Sequence, residues 1–260
     1  MASENVSRTF RIGLIVAIIC SFVVSSSFTL LKGIQDKNRR NFRNKNVLIA
    51  AGIYNPNKSI EEQFKNIKTY YYNLESQKIV KDSDVDKYFR DFNKIVNNSR
   101  TSIKLTKEED LASIGRIPKK IPIYFIQKEN KIDKVIIPIY GKGLWSTMYG
   151  FLAVESDGKT AAGITFYEHG ETPGLGGQVD NLEWKKQWAG KKLYDNNWNV
   201  IIEVIHGEVD KSSKESIHQV DGLSGASMTT RGVNNLVRFW LSEEGFKSLF
   251  RKLSHKEVKL

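Results

Sequence analysis

The feature that most constrains this chain is an uncharged apolar run of twenty residues near its start, residues 12–31, which lies between Arg11 and Lys32. Twenty residues is about the length that a helix needs to cross a bilayer. A cleaved signal peptide is the competing interpretation, because the serines at 25–27 could form a cleavage site. The apolar run continues past those serines, so we favour a single uncleaved transmembrane helix.

Charge is the second constraint on what the chain can contact. The formal net charge of +11 suits nucleic acid or an anionic membrane surface. The sequence contains no nucleic-acid module, so the membrane is the better explanation. Arg8 and Arg11 precede the apolar run, whereas six cations follow it: Lys32, Lys37, Arg39, Arg40, Arg43 and Lys45. That asymmetry alone would place the C-terminal side in the cytoplasm, although the rule is weaker for large translocated domains.

The segment that follows the apolar run shows helical patterns and no candidate chemistry. Residues 33–51 predict a basic helix that stops near Gly52. A capping-box pattern at residues 59–62 starts another helix, and residues 82–98 carry apolar side chains at helical spacing. We therefore interpret residues 32–120 as a helical stalk and packing segment.

From residue 121 the hydrophobic period changes to that of β-strands. Five runs predict strands, at residues 121–127, 135–140, 147–155, 160–168 and 200–205. Asp157 and Gly158 between the third and fourth runs are a hairpin signal, and tryptophans one turn apart predict a helix at residues 181–189. The pattern indicates an α+β domain with a mainly antiparallel sheet over residues 121–246, followed by a basic tail, residues 247–260.

One further helix is predicted near the C-terminus, and its start carries hydroxyl side chains. Apolar residues repeat there at helical spacing, at Val233, Leu236, Val237, Trp240 and Leu241. Ser227, Thr229 and Thr230 are the residue types that satisfy free N–H groups at a helix start. Such a start also suits a phosphate, and Gly222 and Gly225 allow close backbone approach. On these features alone, a capped helix after a turn is the simpler interpretation.

Two glycine-rich segments lie between the predicted elements. G-K-G-L-W-S at residues 141–146 partly imitates a dinucleotide fingerprint but lacks its final Gly or Ala and its following helix, so it predicts no nicotinamide site. E-T-P-G-L-G-G at residues 171–177 is a tight loop of a kind that often only turns the chain. The single cysteine, Cys20, and the histidines have no partners at metal-ligand spacing, so we expect no metal site and no disulfide within the chain.

The sequence D-G-L-S-G-A-S-x-T at residues 221–229 resembles the flavinylation motif of the C subunit of the bacterial Na⁺-translocating NADH:quinone reductase. In that family, FMN is joined through its phosphate to a hydroxyl side chain. Asp221 matches the leading acid of the motif. Ser227 matches the residue that carries the flavin, where the family usually has Thr; the change keeps the hydroxyl and loses only a methyl group. Thr229 is the fallback acceptor.

A second match accompanies the first. Residues 171–176 resemble the family's E-T-P-G-L-G loop, which lies against the isoalloxazine ring, and residues 143–154 match the same family. Trp145 is therefore either a neighbour of the ring or a buried core side chain. The resemblance implies these cofactor-binding residues: Asp221, Leu223, Ser224, Gly225, Ala226, Thr229, Trp145, Glu171, Thr172, Gly174, Leu175 and Gly176. We expect Asp221 to serve transferase recognition or turn formation rather than electron transfer.

The function that the resemblance implies is electron transfer by one covalent FMN on Ser227, with no catalytic residue beyond the flavin. The flavin would accept an electron from an iron–sulfur centre and pass it to another FMN, on the way to ubiquinone. These steps occur in a six-subunit sodium pump, and NADH would be oxidised by a different subunit. A separate flavin transferase that uses FAD and Mg²⁺ would attach the cofactor.

The resemblance also implies a location, namely a single pass through the bacterial inner membrane. Residues 1–11 would lie in the cytoplasm and the flavin domain in the periplasm, against the direction that the flanking charges favour. Two alternative functions remain open. One is the G subunit of the ferredoxin-driven Rnf complex, which shares the chemistry. The other is a membrane-tethered binding or scaffold domain without a cofactor, in which the hydroxyls only cap a helix.

Overall fold

The computed structural model describes residues 6–81 and 84–258 of the chain. The chain divides into two compact units, Met1–Phe42 and Arg43–Leu260. In the first unit every described residue is helical. The second unit contains the β-sheet, and the buried side chains among the described residues all belong to it.

The first helix, α1 (Val6–Ala50), begins in the first unit and ends in the second. Among the described residues it is the one helix that is long and apolar enough to cross a membrane, with a mean hydropathy of 2.4 in its most apolar stretch. The predicted span, residues 12–31, lies within α1. Of the predicted N-terminal segment, residues 1–5 lie outside the described residues.

Short helices and longer strands make up the second unit. The helices after α1 are α2 (Ile60–Phe64), α3 (Val85–Arg90), α4 (Phe92–Asn97), α5 (Leu182–Lys186), α6 (Ser227–Trp240) and α7 (Lys247–Ser254). The strands are β1 (Ile67–Asn73), β2 (Lys78–Val80), β3 (Ser102–Lys104), β4 (Arg116–Pro118), β5 (Lys120–Lys128), β6 (Lys131–Lys142), β7 (Thr147–Glu155), β8 (Ala161–Glu168), β9 (Glu203–Val204) and β10 (Gln219–Val220). Two 3₁₀ helices cover Gly176–Asp180 and Lys214–His218.

Six strands form one sheet in the order β2-β1-β5-β6-β7-β8, and every neighbouring pair is antiparallel. The predicted hairpin joins β7 and β8, and Gly158 in its loop has a φ of +68°. Two smaller ladders pair β3 with β4 antiparallel and β9 with β10 parallel. The α+β fold class with a mainly antiparallel sheet is confirmed.

The central strands of the sheet are buried on both faces, because apolar side chains point to both sides of the pleat. On one face, Ile137 and Leu152 belong to the larger core, which includes the apolar sides of α6 and α7. On the other face, Phe151 belongs to a smaller core that includes the last turn of α1. In that second core Thr165 donates a 2.9 Å hydrogen bond to Asn46 of α1. Full burial of a large apolar side chain contributes roughly 1.5–3 kcal/mol, so both faces stabilise the sheet.

The structure corrects the predicted helical stalk over residues 32–120. Its helices are present, and Ser59 caps α2 by accepting a hydrogen bond from the backbone N–H of Glu62. However, β1 and β2 between those helices join the main sheet, and Tyr71 and Tyr72 of β1 are buried. Threonine followed by three tyrosines is a strand signal, because aromatic and β-branched side chains pack well on a pleated surface.

The C-terminal region also differs from the prediction. Most of the predicted basic tail, residues 247–260, is helix α7, and its last two residues lie outside the described part of the chain. The charged residues of the tail conceal a short apolar side that is buried in the larger core, formed by Leu249, Phe250 and Leu253. The predicted strand 200–205 and helix 181–189 are present in shortened form, as β9 and α5.

Helix α6 lies close to β6 because Gly232 leaves room for the strand. A Cβ atom on Gly232 would lie 2.5 Å from the carbonyl oxygen of Lys142 and 3.1 Å from the Cα of Gly143. Near the other end of the helix, Nε1 of Trp240 donates a 2.8 Å hydrogen bond to the carbonyl oxygen of Tyr140. These contacts hold the helix on the strand and place its first turn beside the loop that follows β6.

Replacing Gly232 with valine should destabilise the fold by about 1–3 kcal/mol, because the new side chain meets backbone atoms that move only if the helix moves. Thermal unfolding of the full-length protein in detergent, followed by near-UV circular dichroism, measures the loss. Arg231→Val is the matched control, since Arg231 is exposed on the same helix and such substitutions change stability by about 0.5 kcal/mol or less. Equal melting temperatures for the two variants would contradict the contact.

Candidate functional site

A buried carboxylate joins three segments at one end of the sheet. Glu171 follows β8 and is 5% exposed. It accepts hydrogen bonds from three backbone N–H groups, at 3.2 Å from Leu144, 2.9 Å from Trp145 and 3.2 Å from Ser146. It also accepts a hydrogen bond from the hydroxyl of Thr229, in the first turn of α6. The β6–β7 loop, the loop after β8 and the start of α6 are thereby held together.

The pKa of Glu171 results from two opposing effects. Burial alone would raise this pKa, because a buried carboxylate loses its hydration. The Thr229 hydroxyl and the three backbone N–H groups stabilise the charged form and hold the pKa below its usual value. At neutral pH the Glu171 carboxylate is therefore charged and accepts hydrogen bonds from four protein donors. The carboxylate supports the loops and has little capacity left to bind a ligand.

Two glycines make room for the carboxylate and its hydroxyl partner. A Cβ atom on Gly143 would lie 2.5 Å from Oε1 of Glu171, and one on Gly176 would lie 2.5 Å from the hydroxyl oxygen of Thr229. Gly176 is one of the predicted site residues. Gly143 is not among them, although it begins the second stretch that matches the family. Gly174 is required for a different reason, since its φ is +78° with open space around it.

Within the described part of the chain, no side chain caps the start of α6, which corrects the predicted role of Ser227, Thr229 and Thr230. The N-cap residue is Ala226, whose methyl group accepts no hydrogen bond. Thr229 donates to the buried carboxylate instead, and Thr230 accepts a 2.9 Å hydrogen bond from the backbone N–H of Leu223. Ser227 is exposed at the first helical position. Ser227 thus begins the helix, next to leading N–H groups that no side chain of the described residues caps.

Asp221 holds the turn that precedes α6. Its Oδ1 accepts from the backbone N–H of Val209 at 2.7 Å, and its Oδ2 accepts from Nε2 of Gln187 at 2.8 Å. Its own backbone N–H donates to Oε1 of Gln187 at 3.0 Å, and its carbonyl oxygen accepts from Nε1 of Trp184 at 2.8 Å. The structure therefore gives Asp221 a part in turn formation. Gln187 and Trp184 are supports that sequence reasoning missed, because their partner lies more than thirty residues away.

Large apolar side chains are exposed on the three segments that Glu171 joins: Leu144 (39%), Trp145 (68%), Leu175 (45%) and Met228 (62%). The interpretation of Trp145 as a buried core residue is therefore wrong. Grouped exposed apolar side chains mark a surface that binds a ligand or a partner. Leu144 and Met228 were not predicted, although both lie inside or beside the matching motifs.

The other predicted residues are either buried behind this surface or exposed in its loops. Leu223 and Ala226 are buried. Ser224 and Gly225 are exposed in the turn, and Gly225 has a φ of +69°. The exposed Thr172 closes its own loop, because its carbonyl oxygen accepts from two backbone N–H groups, at 3.1 Å from Leu175 and 3.0 Å from Gly177.

Comparison with known sequences points to the same region of the chain as the functional one, namely the region that contains the predicted site residues. A family described as FMN-binding domain matches residues 143–242, a range that contains all the predicted site residues. The C subunit of the Na(+)-translocating NADH-quinone reductase from Pseudomonas aeruginosa is 39% identical over 261 residues, which cover 98% of each protein. The corresponding protein from Yersinia pestis is 37% identical over 262 residues, which cover 99% of this chain and 96% of the relative.

Comparison with solved structures gives the same result for the fold. The crystal structure of Shewanella oneidensis NqrC matches with a TM-score of 0.75 and 33% sequence identity, over 85% of this chain and 99% of that chain. The crystal structure of the corresponding Na(+)-translocating NADH-quinone reductase component from Parabacteroides distasonis matches with a TM-score of 0.61 and 20% identity, over 88% of this chain and 98% of that chain. At that identity the second match is evidence for the fold alone.

Replacing Glu171 with glutamine should destabilise the fold by about 1–3 kcal/mol, because the amide nitrogen would face N–H and O–H donors that then lack an acceptor. Denaturant unfolding of the full-length protein in detergent at pH 7 measures the loss. Glu168→Gln is the matched control, because Glu168 is exposed at the end of β8. A loss of the same size in both variants would contradict a special role for Glu171.

The contribution of Glu171 to stability should also depend on pH. Its folded-state pKa lies below the ordinary value of about 4.3, so the unfolded chain binds a proton more readily. The stabilisation is complete above that value and is lost as the pH falls through the folded-state pKa. The difference in unfolding free energy between the wild type and Glu171→Gln should therefore shrink in acid. A difference that grows below pH 4.3 would contradict this account.

Proposed function

Because the chain belongs to the NqrC family, the C subunits of the Na⁺-translocating NADH-quinone reductases, we propose that it carries one FMN in phosphoester linkage to Ser227. The protein would be a membrane-anchored electron carrier of that complex. Its anchor would be α1, and its cofactor would lie against the surface that Glu171 organises.

The observation that carries this proposal is the exposed hydroxyl of Ser227 at a helix start without a side-chain cap. In the ester, the phosphate would remain negatively charged beside the first N–H groups of α6. Those groups and the helix dipole favour an anion at that end of the helix. Thr229 is a poor acceptor by comparison, since it is 1% exposed and its hydroxyl is bonded to Glu171.

The surface around Ser227 offers apolar contacts of the kind that an aromatic ring needs. Trp145, Leu175 and Met228 offer exposed apolar contacts on three different segments. The positive φ of Gly174 turns the loop after β8 and leaves open space beside its backbone. FMN, when bound, supplies the chemistry of taking up and releasing electrons. Trp145 and Leu175 would hold the ring, while Glu171 would act through the loops rather than by contact.

The attachment reaction balances if FAD is the donor. The Ser227 hydroxyl oxygen forms a bond to the phosphorus of the FMN half, and the pyrophosphate bond of FAD breaks. AMP leaves, and the hydroxyl proton passes to a base or to water. A separate transferase with Mg²⁺ would carry out this step, as the resemblance implies. Asp221 would support the reaction by holding the turn that presents Ser227.

Within the complex, the protein would relay electrons that originate from NADH towards ubiquinone. The resemblance implies an iron–sulfur centre as donor and another FMN as acceptor, among six subunits. The sequence carries no dinucleotide fingerprint, in keeping with NADH oxidation by a different subunit. The nearly full-length similarity to relatives from the sodium pump favours this assignment over the Rnf complex.

Replacing Ser227 with alanine should abolish covalent flavin while the protein stays folded, because the side chain is exposed and its hydroxyl forms no hydrogen bond with the described part of the chain. Ser227→Thr should keep the flavin. The protein is produced with its transferase, and flavin is measured by in-gel fluorescence after denaturation and by peptide mass mapping.

One further variant and one spectroscopic measurement serve as controls for this experiment. Ser224→Ala removes another exposed hydroxyl of the same turn, and the FMN mass should remain on the peptide that contains Ser227. Full covalent loading of Ser227→Ala would refute the attachment site. Unchanged near-UV circular dichroism separates a missing acceptor from a misfolded domain.

The globular unit should lie in the periplasm, despite the excess of cations after the apolar run. We expect protease added to spheroplasts to digest residues 43–260 while a cytoplasmic marker protein stays intact. Protection of these residues until the membrane is lysed would instead support the orientation that the flanking charges favour.

A further inference from the structure

Helix α1 carries a group of cations that the flavin chemistry does not use. Four of them follow the apolar run within the first unit of the chain: Lys32, Lys37, Arg39 and Arg40. All four side chains are exposed. Asp36 is the single acidic residue among them. We refer to these four residues as the juxtamembrane cluster.

Three of the four cations lie on one side of the helix. Because successive residues of a helix are about 100° apart, Lys32, Arg39 and Arg40 lie within about 100° of one another. Leu30 and Ile34 lie on the opposite side and are also exposed. Among the described residues, neither Lys32 nor Arg39 has a carboxylate partner. Where the helix leaves the apolar run, Lys32 and Arg39 thus lie on one side and Leu30 and Ile34 on the other.

Along the helix axis, Lys32 would lie at the inner edge of the polar layer of a membrane and Arg39 just beyond its outer edge. Lys32 is the first residue beyond the apolar run, and at 1.5 Å per residue Arg39 lies about 10 Å further along the axis. The headgroup layer on each side of a bilayer is about 5–7 Å thick. Side chains of a helix lean towards its N-terminus, which here means towards the apolar run. The long side chain of Arg39 can thus reach back to the phosphates.

The cations at the other end of the apolar run have the opposite geometry. Arg8 and Arg11 precede the run, so the same lean directs their side chains away from it. The structure shows this for Arg11, whose Nε donates a 3.3 Å hydrogen bond to the carbonyl oxygen of Ser7, one turn nearer the N-terminus.

We propose that Lys32 and Arg39 of the juxtamembrane cluster bind the phosphates of anionic phospholipids at the membrane surface, on the C-terminal side of the apolar run. A lipid such as phosphatidylglycerol carries a net negative charge, whereas the phosphate of phosphatidylcholine is balanced by its own ammonium group. The cluster would therefore enrich anionic lipids around α1 and fix the depth of the helix. This inference depends on the anchoring part of the proposed function and is independent of the flavin.

The test compares two lipids at the surface of the full-length protein. The purified protein is reconstituted in phosphatidylcholine bilayers with traces of spin-labelled phosphatidylglycerol or spin-labelled phosphatidylcholine. Electron paramagnetic resonance gives the fraction of each probe that the protein immobilises. We expect at least about a fivefold preference for phosphatidylglycerol at low salt, the effect of roughly one cation near the surface. Salt at about 1 M should remove it by screening.

Two double variants with the same change in charge complete the test. Lys32→Gln with Arg39→Gln should lose most of the preference, whereas Arg8→Gln with Arg11→Gln should keep it. An unchanged preference in the first pair, or an equal loss in both pairs, would overturn the proposal. If neither probe is immobilised, the helix is not in the bilayer, and both this proposal and the anchoring role fail. Covalent flavin, measured by fluorescence on the same samples, would be unaffected by that outcome.

Discussion

The site depends on one buried carboxylate. Glu171 replaces its lost hydration with donors from two other segments, the loop after β6 and the first turn of α6. A buried charge is tolerated when such donors are in place and is costly when one is missing. The three segments therefore become ordered together. The surface that they expose, with Trp145 and Ser227, is a consequence of that shared anion.

The sheet and α6 bring the donors to the carboxylate. β6 ends at the loop that supplies three N–H groups, and β8 ends just before Glu171. Gly232 and Trp240 fix α6 along β6, so Thr229 reaches the same point. Burial on both faces stabilises the strands that set these positions. The fold thus places polar groups from distant parts of the sequence within hydrogen-bond distance of each other.

Features that neighbouring residues determine could be predicted from the sequence, whereas features that depend on distant partners could not. The apolar run, the β7–β8 hairpin and helix α6 follow from periodicity and turn residues alone. The hydroxyls at the start of α6 were assigned as caps, but the partner of Thr229 lies 58 residues away. The same distance effect concealed the supports of Asp221. β1 was not predicted because a short aromatic run between two helical patterns gives a weak strand signal. The exposure of Trp145 could not be predicted either, because it follows from the geometry of the loop.

The way in which α6 is attached has a consequence for biogenesis. Ser227 and the loop that carries Trp145 lie at the ends of α6 and β6, which are joined along their length, so an incompletely folded chain presents neither. A modifying enzyme that requires both would mark only molecules whose sheet and last long helix have assembled. A flavin attached in this way would then distinguish folded molecules from unfolded ones before the complex assembles.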